Sequence, residues 1–244
     1  MLRLGWTLLW TLVLAILWFA GSPVARLFRR WRGWRSFVFR NWARACLRGI
    51  GAHVTVRGAP PRTAGYLVTN HLSYVDVIAL AAHVDGVFLS MAEIARWPFL
   101  GRMARSFGTL FIERDKKRTL PDVIDALESA LARGEIVIFF PEGTNTHGDA
   151  VHPFRPALFE PAASRDRAVA YATLRYATHP PDPPASRAVS WVDTPLFAHA
   201  TQLLALRRID VEIVFGAEPV RARNRKALAD ELRRRVASAF VPME

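Results

Sequence analysis

The stretch formed by residues 4–21 constrains the fold most, because it is apolar and carries no charge. As a helix it is about long enough to cross the hydrocarbon core of a bilayer. Only Arg3 precedes the stretch and several arginines follow it, whereas a signal peptide has its basic residues first. This charge order favours an uncleaved anchor, spanning the bilayer or lying in one leaflet, with the remaining chain on the cytoplasmic side. A signal peptide cleaved after the SPVA sequence is the alternative.

The positive charge is concentrated near the same end of the chain. Residues 1–75 contain eleven arginines and no acidic residue, whereas the rest of the chain is nearly neutral. The arginines alternate with aromatic side chains, namely Trp31, Trp34, Phe37, Phe39 and Trp42. This mixture favours an anionic lipid surface as partner and no nucleic acid, with an arginine-rich solvated helix as the alternative. We therefore predict a membrane-anchoring region at residues 1–48 and a folded domain at residues 49–244.

Apolar runs of strand length alternate with helical patterns through the predicted domain. Strands are expected at 53–58, 65–70, 86–91, 109–114, 135–140, 168–176 and 209–216. Helices are expected at 75–84, 97–107, 120–134 and 224–240. The alternation predicts an α/β fold with a mixed, largely parallel sheet flanked by helices. The single cysteine, Cys46, excludes a disulfide within the chain, which agrees with a reducing compartment.

Polar residues cluster after three of the predicted strands, at residues 70–76, 113–118 and 141–149. Ligands of α/β sheets usually bind outside the carboxyl ends of the strands. The three clusters are therefore expected to face one cleft.

The first cluster, NHLSYVD, contains His71 and Asp76. A histidine can take a hydroxyl proton near neutral pH, and a carboxylate on its second ring nitrogen fixes the tautomer. Ser73 and Asp76 also match the S-x-x-D pattern of a helix start, which predicts a cap by the Ser73 hydroxyl. The sequence allows both interpretations together, with the chain folding back so that His71 meets Asp76.

The other two clusters offer groups that bind anions. Glycine in the FPEGT segment predicts a turn with exposed backbone N–H groups, and a plain turn is the alternative. Arg114, in the FIERD segment, carries a guanidinium suited to phosphate, unless it forms an ordinary surface ion pair.

In this order, NHLSYVD, GTLFIERD, FPEGT and HPFRPALF resemble the glycerophospholipid acyltransferase family, and the likeness covers roughly residues 65–160. The nearest members it resembles are bacterial 1-acyl-sn-glycerol-3-phosphate acyltransferases. The resemblance implies that His71 is the general base and that Asp76 orients it. It further implies a substrate-binding set of Arg114, Glu142, Gly143, Thr144 and Arg155.

The same resemblance implies acyl transfer from acyl-CoA or acyl carrier protein to the hydroxyl of a lysophospholipid, at the bacterial inner membrane. No cofactor is expected, because the thioester already carries the activation energy. Many phosphate-specific members continue FPEGT with Arg-Ser, whereas this chain has Asn145 and Thr146. Lyso-ornithine lipid is therefore a second candidate acceptor beside 1-acyl-sn-glycerol-3-phosphate.

Three rival functions use other features of the sequence. A metal hydrolase would use His71, His147, Asp149 and His152, but their spacing matches no common zinc motif. A serine hydrolase would need a G-x-S-x-G segment, which the chain lacks. A non-catalytic protein would bind lipid surfaces through its N-terminal region and use the domain as a scaffold.

Overall fold

The computed structural model describes residues 2–28, 30–112 and 120–244, with the backbone alone at 98–100 and 120–123. Strands were predicted in seven places, and each of these places contains one. Their bounds are β1 Ala52–Arg57, β2 Gly65–Thr69, β3 Gly86–Met91, β4 Leu110–Ile112, β5 Ile136–Phe139, β6 Val169–Ala177 and β7 Ile209–Phe215.

These strands form one sheet in the order β1-β7-β6-β2-β5-β3-β4. Neighbouring strands run parallel throughout except for β6 and β7, which are antiparallel. The predicted mixed and largely parallel sheet is confirmed. Because β2 and β5 are parallel neighbours, the segments after them leave the same edge of the sheet.

The central strands are apolar along their whole length because both faces of the sheet are covered. Leu67 of β2 and Ile138 of β5 pack on one face, in a core that also contains Ala43 and Leu47. Their sequence neighbours pack on the other face, against Leu228 and Leu232. In β7, near the edge of the sheet, buried and half-buried residues alternate instead. A helical layer therefore covers each face.

The helices are α1 Leu2–Leu27, α2 Trp31–Gly49, α3 Val75–Ala81, α4 Ala92–Ala95, α5 Pro98–Ser106, α6 Leu120–Ala132, α7 Glu160–Ala163, α8 Ala185–Ala188, α9 Leu196–Ala205 and α10 Arg225–Ser238, with a 3-10 helix at Pro156–Phe159. Local sequence explains several of their ends. Gly134 follows α6 with a φ of 80°, a conformation that glycine adopts without strain. The Asn224 side chain accepts hydrogen bonds from the first backbone N–H groups of α10.

Helix α1 contains the predicted anchor and extends it at both ends. It is the one helix in the described part of the chain that is long and apolar enough to cross a membrane. Leu8, Leu12, Ile16 and Phe19 leave much of its surface apolar and exposed. On its other side α1 packs through Leu14 and Trp18 against Val38 of α2 and against Phe107, the residue that follows α5.

Two arginines of α2 bind groups within the protein, and Arg35 is buried there. The buried Arg35 donates to Glu135 at 2.6 Å, and Arg32 lies 3.4 Å from the same carboxylate. Arg32 also donates to the backbone carbonyls of Arg133 and Gly134. The two guanidiniums fasten α2 to the junction of α6 and β5, since a buried carboxylate requires a partner. The proposed boundary between residues 48 and 49 stays a prediction.

Candidate active site

His71 lies in the loop that follows β2, and Asn70 holds that loop in place. The buried Asn70 side chain donates to the Leu174 carbonyl at 2.9 Å and accepts from the Leu174 N–H at 2.8 Å. This pair of bonds joins the end of β2 to β6, where the regular ladder between them stops. His71 therefore leaves the sheet at a fixed point and in a fixed direction.

The predicted contact between His71 and Asp76 is confirmed. His71 Nδ1 lies 2.8 Å from Asp76 Oδ2, and the Asp76 side chain is fully buried. The same oxygen accepts from the backbone N–H groups of Leu72 at 2.7 Å and Ser73 at 3.0 Å. A carboxylate with these donors takes the imidazole N–H at Nδ1, which leaves the lone pair on Nε2.

Tyr176 completes the surroundings of this carboxylate. Its hydroxyl donates to Asp76 Oδ1 at 2.6 Å from the buried face of β6. Burial, with the nearby Asp76 charge and the hydrogen bond to it, raises the pKa of Tyr176 well above its usual value. Tyr176 therefore stays protonated and remains a donor. Both oxygens of Asp76 are satisfied, so the carboxylate cannot swing away from His71 without losing several bonds.

The predicted cap by Ser73 is wrong. The Ser73 hydroxyl is buried and has no hydrogen-bond partner among the described residues. Helix α3 begins at Val75, and no side chain caps it. Instead the Asp76 carboxylate accepts from the backbone N–H groups that precede the helix. One aspartate thus shapes the turn and also holds the histidine.

Glu142 does not point into the cleft as a substrate-binding residue would. Its carboxylate is buried and accepts from the His71 N–H at 2.7 Å and from the His152 N–H at 2.9 Å. Burial is the main reason why the pKa of Glu142 is raised to about 7, and the two backbone hydrogen bonds oppose that rise. Glu142 fixes the backbone of His71 to the segment after β5.

The exposed part of the His71 ring faces a cavity of about 320 Å³. Phe140 stacks on that ring at 3.9 Å between centroids. Most of the remaining lining is apolar and comes from the carboxyl ends of β3, β4 and β5, with α3 and α4 beside them, namely Val77, Phe88, Leu89, Met91, Ile94, Ile112 and Phe139. The cavity can therefore hold an aliphatic chain next to the Nε2 atom.

A polar rim lies beside His71 at the same cavity. Gly143, Thr144, Asn145 and Arg155 line it. Gly143 has a φ of 75°, which confirms the glycine turn. Arg155 donates through Nε to the Glu142 carbonyl at 3.3 Å. The cavity thus brings together four of the predicted site residues, namely His71, Gly143, Thr144 and Arg155. Arg114 lies outside the described residues.

Comparisons with known proteins agree with this geometry. The sequence profile of the acyltransferase family matches residues 53–173. The lyso-ornithine lipid O-acyltransferase of Rhodobacter capsulatus is 32% identical over 189 residues, which cover 75% of this chain and 68% of that protein. The 1-acyl-sn-glycerol-3-phosphate acyltransferase of Neisseria gonorrhoeae is 32% identical over 181 residues, covering 72% and 69%.

The chain belongs to the acyltransferase family. Its fold is similar to the crystal structure of the 1-acyl-sn-glycerophosphate acyltransferase PlsC from Thermotoga maritima. The TM-score is 0.60 at 18% identity, and the match covers 97% of this chain and 95% of that one. The sequence comparisons therefore show the family, and the structural comparison shows a shared fold.

The described residues give no support to the rival metal hydrolase. Among the residues that the structure describes, no three histidine, cysteine or acidic side chains are arranged to hold a metal ion. His152 Nε2 lies 3.6 Å from Asp149 Oδ1 at the surface, while His71 Nδ1 contacts Asp76.

Sequence reasoning missed two residues of the acyltransferase site. Tyr176 lies 100 positions after Asp76, in a strand whose pattern indicates only burial. Trp191 lines the cavity from a segment in which no helix or strand was predicted. The one available signal was that each is an aromatic residue with a polar atom, a type that usually finds a hydrogen-bond partner when buried.

Proposed function

We propose that this acyltransferase moves a fatty acyl group from an acyl thioester to the free hydroxyl of a lysolipid. One observation carries the proposal: a histidine that is held by a buried aspartate faces an apolar cavity with a basic polar rim. An aliphatic chain fits the apolar part, and an anionic headgroup fits Arg155 at the rim.

In the proposed reaction, His71 Nε2 takes the proton of the acceptor hydroxyl. The acceptor oxygen then attacks the thioester carbonyl carbon, forms the ester C–O bond and expels the thiolate. The proton passes from His71 to that sulfur, so that the histidine ends as it began. Asp76 stabilises the imidazolium between the two proton transfers. We propose no cofactor, because cleavage of the thioester supplies the driving force.

The first candidate acceptor is 1-acyl-sn-glycerol-3-phosphate, which would yield phosphatidic acid. Arg155 at the rim, with Arg114 as the resemblance implies, supplies cations for its phosphate. A specific observation favours lyso-ornithine lipid as the second candidate. Asn145 stands where many phosphate-specific members have arginine, and its amide donates to the Trp191 carbonyl at 2.7 Å. This position therefore contributes no charge to the rim.

We further propose that α1 anchors the enzyme in the bacterial inner membrane, with the domain on the cytoplasmic side. The apolar surface of α1 and the arginines that follow it support this orientation. In this setting acyl-CoA or acyl carrier protein would deliver the acyl group from the cytoplasm, and the lysolipid would arrive from the membrane.

A panel of acceptors tests the proposed function. The protein, purified in detergent, is incubated with labelled acyl-CoA or acyl carrier protein and with each of several lysolipids, including the two candidates. Mass spectrometry should identify an acylated product for at least one lysolipid, and His71→Ala should abolish it. Vesicle binding without any acyl transfer would instead support the non-catalytic lipid-binding protein.

A further inference from the structure

The connection between β6 and β7 is much longer than its geometry requires. The two strands are antiparallel neighbours, and Ala177 at the end of β6 pairs with Asp210 at the start of β7. A turn of a few residues joins such strands in most proteins. Here residues 178–208 intervene and form α8 and α9. A long connection of this kind usually serves a function.

This connection is fastened to both loops of the active site. The Trp191 N–H donates to the Leu72 carbonyl at 3.0 Å, next to His71. The Ser190 hydroxyl donates to the Thr146 carbonyl at 2.7 Å, and the Asn145 amide donates to the Trp191 carbonyl. These bonds hold the backbone of residues 190–191 at a fixed position relative to the catalytic histidine.

Trp191 forms part of the wall of the cavity. It packs between Tyr74 at 5.2 Å and Trp97 at 6.3 Å, both edge to face. Its Nε1–H donates to the Thr194 carbonyl at 2.7 Å, within its own loop. The ring therefore offers a substrate only apolar and π surface, and it gives no hydrogen bond to an anion. Such a surface attracts aliphatic groups and ammonium ions.

We propose that Trp191 contacts the acceptor and determines its headgroup specificity, and that Asn145 is the positioning residue that holds it. The wall favours an acceptor whose headgroup presents an ammonium or aliphatic group over one that presents only a phosphomonoester. Arg155 remains at the same rim for an anionic group of either acceptor. This inference rests on the proposed lysolipid acylation and selects between its two acceptors.

The test compares acceptor specificity in Trp191→Ala and in a matched control, Phe197→Ala. Phe197 lies in the same connection and is 85% exposed, and it is not part of the cavity lining. The kcat/KM values for lyso-ornithine lipid and for 1-acyl-sn-glycerol-3-phosphate are measured in mixed micelles with one acyl donor. The wild type should prefer lyso-ornithine lipid, because an ornithine headgroup carries an ammonium group.

Trp191→Ala should lower kcat/KM for lyso-ornithine lipid roughly tenfold and for the phosphate acceptor less than about threefold. Phe197→Ala should leave the ratio of the two kcat/KM values, lyso-ornithine lipid over phosphate acceptor, unchanged. Asn145→Ala should lower this ratio as Trp191→Ala does, but by a smaller factor. If Trp191→Ala does not fold, the result for Asn145→Ala tests the inference. An equal loss with both acceptors, a change confined to the KM of the donor, or a wild-type preference for the phosphate acceptor would overturn the inference. Absence of transfer to every lysolipid would refute the proposed function instead.

Discussion

Two histidine–aspartate pairs in the described part of this molecule have nearly the same short separation. His71 Nδ1 lies 2.8 Å from Asp76, and His179 Nε2 lies 2.6 Å from Asp210. Their surroundings differ. The Asp76 side chain is 0% exposed and bonded to Tyr176 and two backbone N–H groups, whereas that of Asp210 is 32% exposed and shared with Arg208. Burial tends to raise the pKa of Asp210, but hydrogen bonds from His179 and Arg208 outweigh it and lower that pKa.

The comparison shows that a short distance between a histidine and an aspartate does not by itself identify a catalytic base. His71 presents its second nitrogen to an apolar cavity beside a polar rim, where a lipid hydroxyl and an acyl chain can meet. His179 lines an open depression with Asp182, Arg207 and Arg208, which are charged residues at the surface. An imidazole that is already bonded to a solvated carboxylate and surrounded by arginines is an ordinary surface ion pair.

The largest expected difference between the two pairs follows from replacing each aspartate. Asp76→Asn cannot stabilise the imidazolium and disfavours the required tautomer, so kcat should fall roughly 10³- to 10⁴-fold. Asp210→Asn should change kcat less than twofold. Steady-state acyl transfer by the two purified variants measures this difference, and equal losses would show that the surroundings of the carboxylate are irrelevant.

The next largest effect is expected from removing the Tyr176 hydroxyl that donates to Asp76. Tyr176→Phe leaves Asp76 Oδ1 without a donor, and a bond to a charged group contributes about 1.5–3 kcal/mol. The expected result is a fall in kcat of about tenfold or more with little change in acceptor KM, and a lower free energy of unfolding.

Tyr66→Phe is the matched control for that experiment. The Tyr66 hydroxyl is also buried in the sheet, but it has no hydrogen-bond partner within the described residues. Its removal should leave kcat unchanged and should not lower the melting temperature in detergent. A similar loss of activity in both variants would mean that Tyr176 acts only through packing.

A smaller effect concerns pH and Glu142. Its pKa rises from about 4.3 in the unfolded chain to about 7 in the fold, so the folded state binds the extra proton between these values. Stability from this group is therefore greatest at low pH and decreases as the pH rises from about 5 to 7. Glu142→Gln should remove this decrease of stability with rising pH. Thermal unfolding of both proteins in detergent from pH 5 to 8 measures it, and parallel curves would contradict the assignment.

Arg155 is expected to have the smallest effect. It is exposed at the rim, so Arg155→Ala should raise the KM of an anionic acceptor about tenfold or less, with kcat nearly constant. Arg223→Ala removes an arginine that is 84% exposed and pairs with Asp166, and it serves as the control. A change in kcat alone would place Arg155 in the chemical step rather than in binding.

Much of the fold could be predicted because local patterns encode it. Strands β2 to β5 are short, mostly apolar runs, whereas β1 and β7 alternate apolar with polar residues, and both patterns are visible without tertiary information. The meeting of His71 and Asp76 was predictable for the same reason, since five positions separate them at a strand end.

The remaining part of the site depends on contacts between distant segments. Glu142 was expected to face substrate, but it lies 71 positions from the backbone N–H that it accepts from. Neither the direction of that side chain nor the contact of Tyr176 with Asp76 leaves a periodic signal in the sequence. No bounds were predicted for the two helices after β6, since α8 has only four residues and α9, although apolar, has only ten.

The most direct test of the central claim replaces each histidine in turn and follows transfer of a labelled acyl group to a lysolipid. His71→Ala should abolish transfer while binding to lipid vesicles stays at the wild-type level, because α1 is untouched. His179→Ala should transfer at the wild-type rate. Full activity of His71→Ala, or an equal loss in His179→Ala, would contradict the assignment of His71 as the base.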